Sequence, residues 1–403
     1  MRKRSGCGLL SVAMALAAAG LLLLGWYLWA RLSPLAVLPP AIQETKPPPV
    51  TVGEQPPPEL TAGGKEKFYY RQLTPTEQWA YNDILEQIQS FPEKVPIPKM
   101  DESALSNVFN ALLYDNPMLL HLSRVSTLLT VGEYCYFKPS YRMDPKTYQA
   151  ACGAVSEAIA QLLAGMPADA TPVQQELYLH DQIIRRCQYS ATGEEGESTV
   201  YGALVEGKAS CEGYAKAMLL LLDQMGMESY VVTGQARNSA GEVADHMWNK
   251  VRIDGDWYHL DVTWDDPVTD TAHQTLRRLY FNLSDADIAY SHTGFDRTDP
   301  CRATKNNFFV AEGLYFSKLT NEAETAMAAA LRDAVDAGDN FLEVRFSDAE
   351  NYRKAVRSLI QLERIYLVLG MANGGSQRHI SSHTMSYAEN TDLFVLRILP
   401  EVD

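Results

Sequence analysis

The first 43 residues contain no carboxylate, the earliest being Glu44, and the chain of 403 residues has no basic excess. Its 35 Lys plus Arg stand against 50 Asp plus Glu, a net charge of −15 and a sequence pI of about 5.0. That balance excludes a basic face large enough to hold a nucleic-acid backbone. Cysteine is sparse at six residues, none in a CxxC pair, and the eight histidines form no ligand run. No zinc module is therefore written into the chain, and we expect no required metal and no cofactor. With 46% hydrophobic and 21% charged residues the chain is neither disordered nor fibrous, and its length suits two or three units.

What is present begins with 24 uncharged, mostly apolar residues at 7–30, preceded by Arg2, Lys3 and Arg4. At about 1.5 Å per residue such a helix crosses a hydrocarbon core of about 30 Å. Positive charge stays on the cytoplasmic side, so the amino terminus is expected inside and everything after Arg31 outside, with Trp26, Tyr27 and Trp29 at the interface. Ala13-Met14-Ala15 and Ala17-Ala18-Ala19 have the small-x-small form of a signal-peptide cleavage site, but the apolar run continues beyond both, which favours an anchor. Cys7 has no hydrophobic stretch before it and is not a lipoprotein cysteine. Nine of the 21 prolines lie in 33–67, a composition that builds neither ladder nor core and reads as an extended tether.

From residue 67 to 170 the pattern is mostly helical. A helix is expected from Thr76, with Trp79, Ile84 and Ile88 at helical spacing, and another across 101–117, broken before Pro117. Strand or hairpin material follows at 124–137, then a helix over 143–165 ended by Gly165. His121, in MLLHLSRV, reads as a hydrogen-bonded structural residue.

The chemistry lies between His180 and Pro267. In GKASCEGYAKAMLLLLDQMGM, Ser210 is a good N-cap, and Tyr214, Met218, Leu221, Leu222 and Met225 mark a buried helix ending before Gly226. Cys211 thus falls in its first turn, where free amides and the positive end of the helix dipole favour negative charge and can hold an oxyanion. Downstream, HMWNKVRIDGDWYHLDVTWDDP reads as strands 246–253 and 256–264 joined by Asp254-Gly255, a strong two-residue hairpin signal. That register pairs Ile253 with Asp256, Trp248 with Asp261 and His246 with Thr263, and makes His246 and Asp261 diagonal neighbours on one face. A thiol, an imidazole and a carboxylate that orients the imidazole are the parts of nucleophilic catalysis.

Residues 175–290, through ELYLHDQIIRRCQYS, TVYGALVEGKASCEGYAKAM, the hairpin and YFNLSDADI, resemble a transglutaminase-like core of the papain-related superfamily with Cys, His, Asp order, and in particular its exported bacterial members. The resemblance implies Cys211 as nucleophile, His246 as base and Asp261 as its orienting partner. Met247 stands where many relatives have a small residue.

Other residues near the motif carry weaker readings. Strand parity puts Trp248 beside His246 as a cleft wall and turns Trp264 to the opposite, core face. Tyr201 is either a second oxyanion donor or packed. Asp265 and Asp266 before Pro267 read as a solvated turn. His180 opens a helical segment and is structural, and His259 lines the cleft. Cys135, Cys152, Cys187 and Cys301 allow three full pairings if oxidised. Beyond residue 310 a helix, a strand, a helix and a final strand suggest a compact α+β module, with GMANGGSQ as a loop and the spacing of His379 and His383 incidental.

The expectation is an α+β chain: 1–31 basic residues and transmembrane signal anchor, 32–66 linker, 67–170 helical region, 171–310 transglutaminase-like core, 311–403 carboxy-terminal module. The core carries the nucleophile on a helix amino terminus and the histidine and aspartate on an antiparallel hairpin. The reading is a membrane-anchored extracytoplasmic thiol enzyme acting on peptide or glutamine-type amides of a peptide, protein or cell-wall substrate. Hydrolysis is favoured slightly over transamidation, and a catalytically silent surface scaffold is the alternative.

Overall fold

The computed structural model describes residues 61–62, 65–238, 240–266 and 277–403. The expected anchor at 7–30 and nearly all of the proline-rich spacer lie outside them. Among the described residues no helix is long and apolar enough to cross a membrane.

The described chain divides into two compact units, one comprising Leu73–Val108 and Val125–Ser140. Here α1 (Pro75–Gln87) starts where Thr74 and Glu77 cap each other reciprocally and Pro75 occupies the first turn. It buries Ala80, Tyr81 and Ile84. Next come β1 (Val95–Ile97), the first half of α2 (Glu102–Asp115), β2 (Leu122–Val131) and β3 (Tyr134–Tyr141). The strands form a sheet in the order β1, β3, β2.

The other unit comprises the described part of Pro58–Gln72, Phe109–Arg124 and Tyr141–Asp403, and holds two large hydrophobic cores besides smaller clusters. The first packs α3 (Pro145–Leu163), α4 (Pro172–Arg186) and α5 (Cys211–Gln224) with β5 (Val243–Ile253) and β6 (Asp256–Leu260), while β4 (Glu228–Arg237) places Tyr230, Val231 and Val232 in two smaller clusters. Every residue of α5 from Glu212 to Leu222 is buried, the mark of a helix inside a core rather than on a surface. The short helix α6 (Val262–Asp265) and the two-residue strand β7 (His292–Thr293) complete this part. The antiparallel sheet runs β6, β5, β4, β7. Asp254 and Gly255 both have positive φ, 52° and 87°, as a mirror-image two-residue turn requires.

The second core contains β8 (Tyr315–Phe316), α7 (Asn321–Ala337), β9 (Leu342–Phe346), α8 (Ala349–Val356), α9 (Ile365–Asn373), β10 (Ile380–Asn390) and β11 (Val395–Val402). The sheet order is β8, β9, β11, β10. The expected loop or turn at GMANGGSQ holds from Gly374 onward, but Gly370–Asn373 are the last turn of α9, whose Ile365, Val368, Leu369 and Ala372 are buried at helical spacing.

Candidate active site

Cys211 is the first residue of α5, and the chain entering it is pinned on both sides. Gln188 and Tyr189 pair in parallel with Lys208 and Ala209, and the Ser210 amide donates to the Glu197 carbonyl at 2.9 Å. Ser210 occupies the N-cap position, but its hydroxyl also donates to the Glu197 carbonyl, at 3.3 Å, rather than accepting from the helix. The first-turn amides of α5 therefore receive no capping oxygen from Ser210. Gly213 explains how closely the 196–199 segment approaches: a Cβ there would run into the Glu197 carbonyl and meet Ala209 at 2.8 Å.

His246 projects from β5 opposite Gly234 of β4, and its Nε2 lies 2.7 Å from Asp261 Oδ2. Burial opposes charge on this imidazole, but the Asp261 carboxylate, together with a hydrogen bond to Cys211, outweighs burial and pushes its pKa up to about 10. The structure thus brings Cys211, His246 and Asp261 together. Asp261 is fully buried, yet His246 and His292 hold its carboxyl well below the ordinary carboxylate range.

The route to this geometry differs from simple strand parity. The register pairs Ile253 with Asp256 and holds as far as Asn249 with Leu260, where β6 ends. Asp261 leaves the ladder: its amide donates to the Tyr280 carbonyl at 3.1 Å, and its Oδ1 caps α6 by accepting from the Trp264 amide at 3.2 Å. The expected pairs of Trp248 with Asp261 and His246 with Thr263 do not form.

Consequences follow for the aromatic residues. Trp264, expected on the opposite face, lies with His246 at 5.8 Å and His292 at 4.7 Å between ring centroids, because it sits on α6 and not on a strand. Trp248 does stack on His246, at 5.8 Å and 19°, but it is 1% exposed and donates from Nε1 to His259 Nδ1 at 2.9 Å, so it supports the imidazole from within rather than walling a cleft. Gly234 makes room for it, since a Cβ there would meet the Trp248 ring at 2.8 Å. His259 is buried between Trp248 and Asp285, and burial lowers its pKa to about 4. Tyr201 packs against the first core.

Asp265 and Asp266 are buried, not a solvated turn. His180 Nε2 lies 3.1 Å from Asp265, which also accepts from the Tyr280 amide, and Tyr214 donates to Asp266. Pro267 lies outside the described residues. His180 sits within α4 rather than opening it, fully buried between Asp181 and Asp265. His121 is buried against Tyr141 and Tyr148. Cys135, Cys152, Cys187, Cys211 and Cys301 are free thiols.

Three neighbours of the site were not singled out by sequence reasoning. His292 Nε2 lies 3.0 Å from Asp261 Oδ2. Tyr189 is within electrostatic reach of Cys211 and Asp261, and the phrase QYS that contains it was the available signal. Tyr69 packs against the cluster of Ala215, Leu219, Val231 and Met247 on which Cys211 also rests, and donates to the Val231 carbonyl at 2.9 Å. Two groups, His246 with Asp261 and His292, and His259 with Asp285 and Cys301, place metal-capable atoms within 4.8 Å of one another. In both, imidazole nitrogens are already hydrogen-bonded to the carboxylate.

Residues 158–262 match the family model of the transglutaminase-like superfamily. No curated protein matches the chain. Among solved structures the chain is similar to one described as a TGase, with 14% identity, a TM-score of 0.26, and coverage of 44% of this chain and 50% of that one. A proposed cysteine protease from Cytophaga hutchinsonii gives 10%, 0.25, 45% and 80%, and a proposed protease from Parabacteroides distasonis gives 8%, 0.22, 34% and 35%. The chain thus spans about half the length of the first of these and about a third of the last. The stretch 158–262, which carries Cys211, His246 and Asp261, is a core of the transglutaminase-like superfamily.

Proposed function

We propose that the protein is a thiol enzyme that opens a peptide or glutamine-type amide through an acyl-Cys211 intermediate. The observation that carries this reading is the contact chain from Cys211 through His246 to Asp261 at the start of a buried helix. The thiol proton passes to His246 before attack, so Sγ attacks the carbonyl carbon as a thiolate facing the imidazolium, which gives its proton to the departing amine when the tetrahedral intermediate collapses. The carbonyl oxygen, negative in that intermediate, is stabilised by the first-turn amides of α5. Asp261 holds the imidazole by Nε2, which leaves Nδ1 for the thiol. A second cycle with water as nucleophile releases the acid. Water is the default acceptor, so hydrolysis is favoured slightly over transfer to an amine.

The apolar run at 7–30, with three basic residues before it, supports anchoring of the enzyme in a membrane with its folded part outside. An intact amino terminus on the membrane-bound protein is expected, and a mature start near residue 20 would overturn that part alone.

The test of the chemistry is alkylation of Cys211 by iodoacetamide as a function of pH, in wild type and in His246→Ala. Reaction that depends on His246 supports the activated pair, and indifference to the substitution sinks it. Ammonia release from a glutamine peptide, with and without added primary amine, then separates hydrolysis from transamidation.

A further inference from the structure

Asp261 Oδ2 accepts from two imidazoles, His246 Nε2 at 2.7 Å and His292 Nε2 at 3.0 Å. Only the first faces the thiol. His292 is fully buried, and its place is set by backbone: it pairs with Ala236 at the edge of β4, and the Ser291 carbonyl accepts from the Arg237 amide at 2.9 Å. Its Nδ1 lies 2.8 Å from Ser291 Oγ. Burial lowers the pKa of His292 and so favours its neutral form, which carries one N–H. A carboxylate only accepts, so that hydrogen sits on Nε2, and Nδ1 must accept from the Ser291 hydroxyl.

We infer that His292 is a positioning residue for the reaction proposed above, a second uncharged donor that fixes Asp261 Oδ2 and limits its pull on the His246 proton. This inference rests on that reading of Cys211 and His246. Each donor to a carboxylate lowers its proton affinity. With two donors on one oxygen, Asp261 orients His246 without holding the imidazolium so tightly that it fails to return its proton to the leaving group. The other titratable groups facing these three side chains are Cys211, Tyr189, Asp265, Tyr280 and His259.

The experiment uses the full chain and iodoacetate, whose negative charge makes alkylation fastest while the thiolate faces an imidazolium. Labelling of the Cys211 peptide against pH then rises and falls, and the falling limb reports loss of the His246 proton. His292→Phe keeps the volume without the donor and is expected to move that limb up by roughly one pH unit, while His292→Gln, whose amide can donate, stays within about 0.3 unit of wild type. An unmoved limb in His292→Phe, or an equal shift in both variants, overturns the inference, because packing alone then accounts for the residue. If His292→Phe does not unfold cooperatively, Ser291→Ala, which frees the imidazole's tautomer, is expected to shift the limb in the same direction, and a wild-type limb there also overturns it. A wild-type protein without a falling limb that depends on His246 sinks the proposed function itself, a result distinct from a normal wild-type profile with unmoved variants.

Discussion

At the scale of single residues, two histidines on one hairpin face, with Trp248 between them, do opposite things. His246 is charged by its partner, and His259 is kept neutral by burial. His246→Ala is expected to lower the rate of Cys211 alkylation at neutral pH by about 10²-fold. His259→Ala leaves Trp248 Nε1 without its acceptor and Asp285 Oδ1 without its imidazole, and is expected to cost about 2 to 3 kcal/mol of stability with little effect on that rate. Equal rate losses in the two variants would reverse the assignment. The raised pKa of His246 also has a stability consequence. Its folded value of about 10 exceeds the ordinary 6.5, so its stabilisation is full below about pH 6.5 and is lost as pH rises toward about 10. The difference in melting temperature between wild type and His246→Gln should therefore shrink between pH 6 and 10.

At the scale of elements, α5 and α4 each carry a constraint that a conservative substitution exposes. Gly213 lies in the first turn of α5 against backbone that cannot move aside, so Gly213→Ala is expected to destabilise by about 2 kcal/mol and to slow Cys211 alkylation by displacing the helix start. A normal alkylation rate with normal melting would refute this. On α4, burial raises the pKa of Glu176 to about 8 even though Asn282 donates to it at 2.7 Å. A folded pKa above the unfolded value stabilises below about pH 4.5, and that contribution is lost as pH rises through about 8. Wild type should thus lose melting temperature between pH 5 and 8 more steeply than Glu176→Gln. Parallel curves would place the ionisation elsewhere.

At the scale of the molecule, the second core of the larger unit is not built from the carboxy-terminal residues alone. Leu279, Tyr280, Leu283, Ile288 and Phe309 pack with Met327, Leu331, Val344 and Leu396, and Arg345 pairs with Asp287. Ending the chain after Ala311 would expose that apolar surface, and the shortened protein is expected to aggregate or to lose cooperative unfolding by scanning calorimetry. A soluble, cooperatively melting product would show that the part carrying Cys211, His246 and Asp261 stands without it. The sequence by itself determined what depends on near neighbours: the helix around Thr76, the Asp254-Gly255 turn, the buried helix that begins at Cys211, and the parity that sets His246 and His259 on one face. Such features rest on propensities and periods spanning a few residues. The tertiary structure alone decided what depends on distant partners. Asp261 leaves its strand because Tyr280 offers a carbonyl, Asp265 is buried because His180, 85 residues away, pairs with it, and His292 reaches Asp261 across 31 residues. No local period encodes these meetings, since a buried polar group finds its partner only once the packing of separate elements has removed water from both.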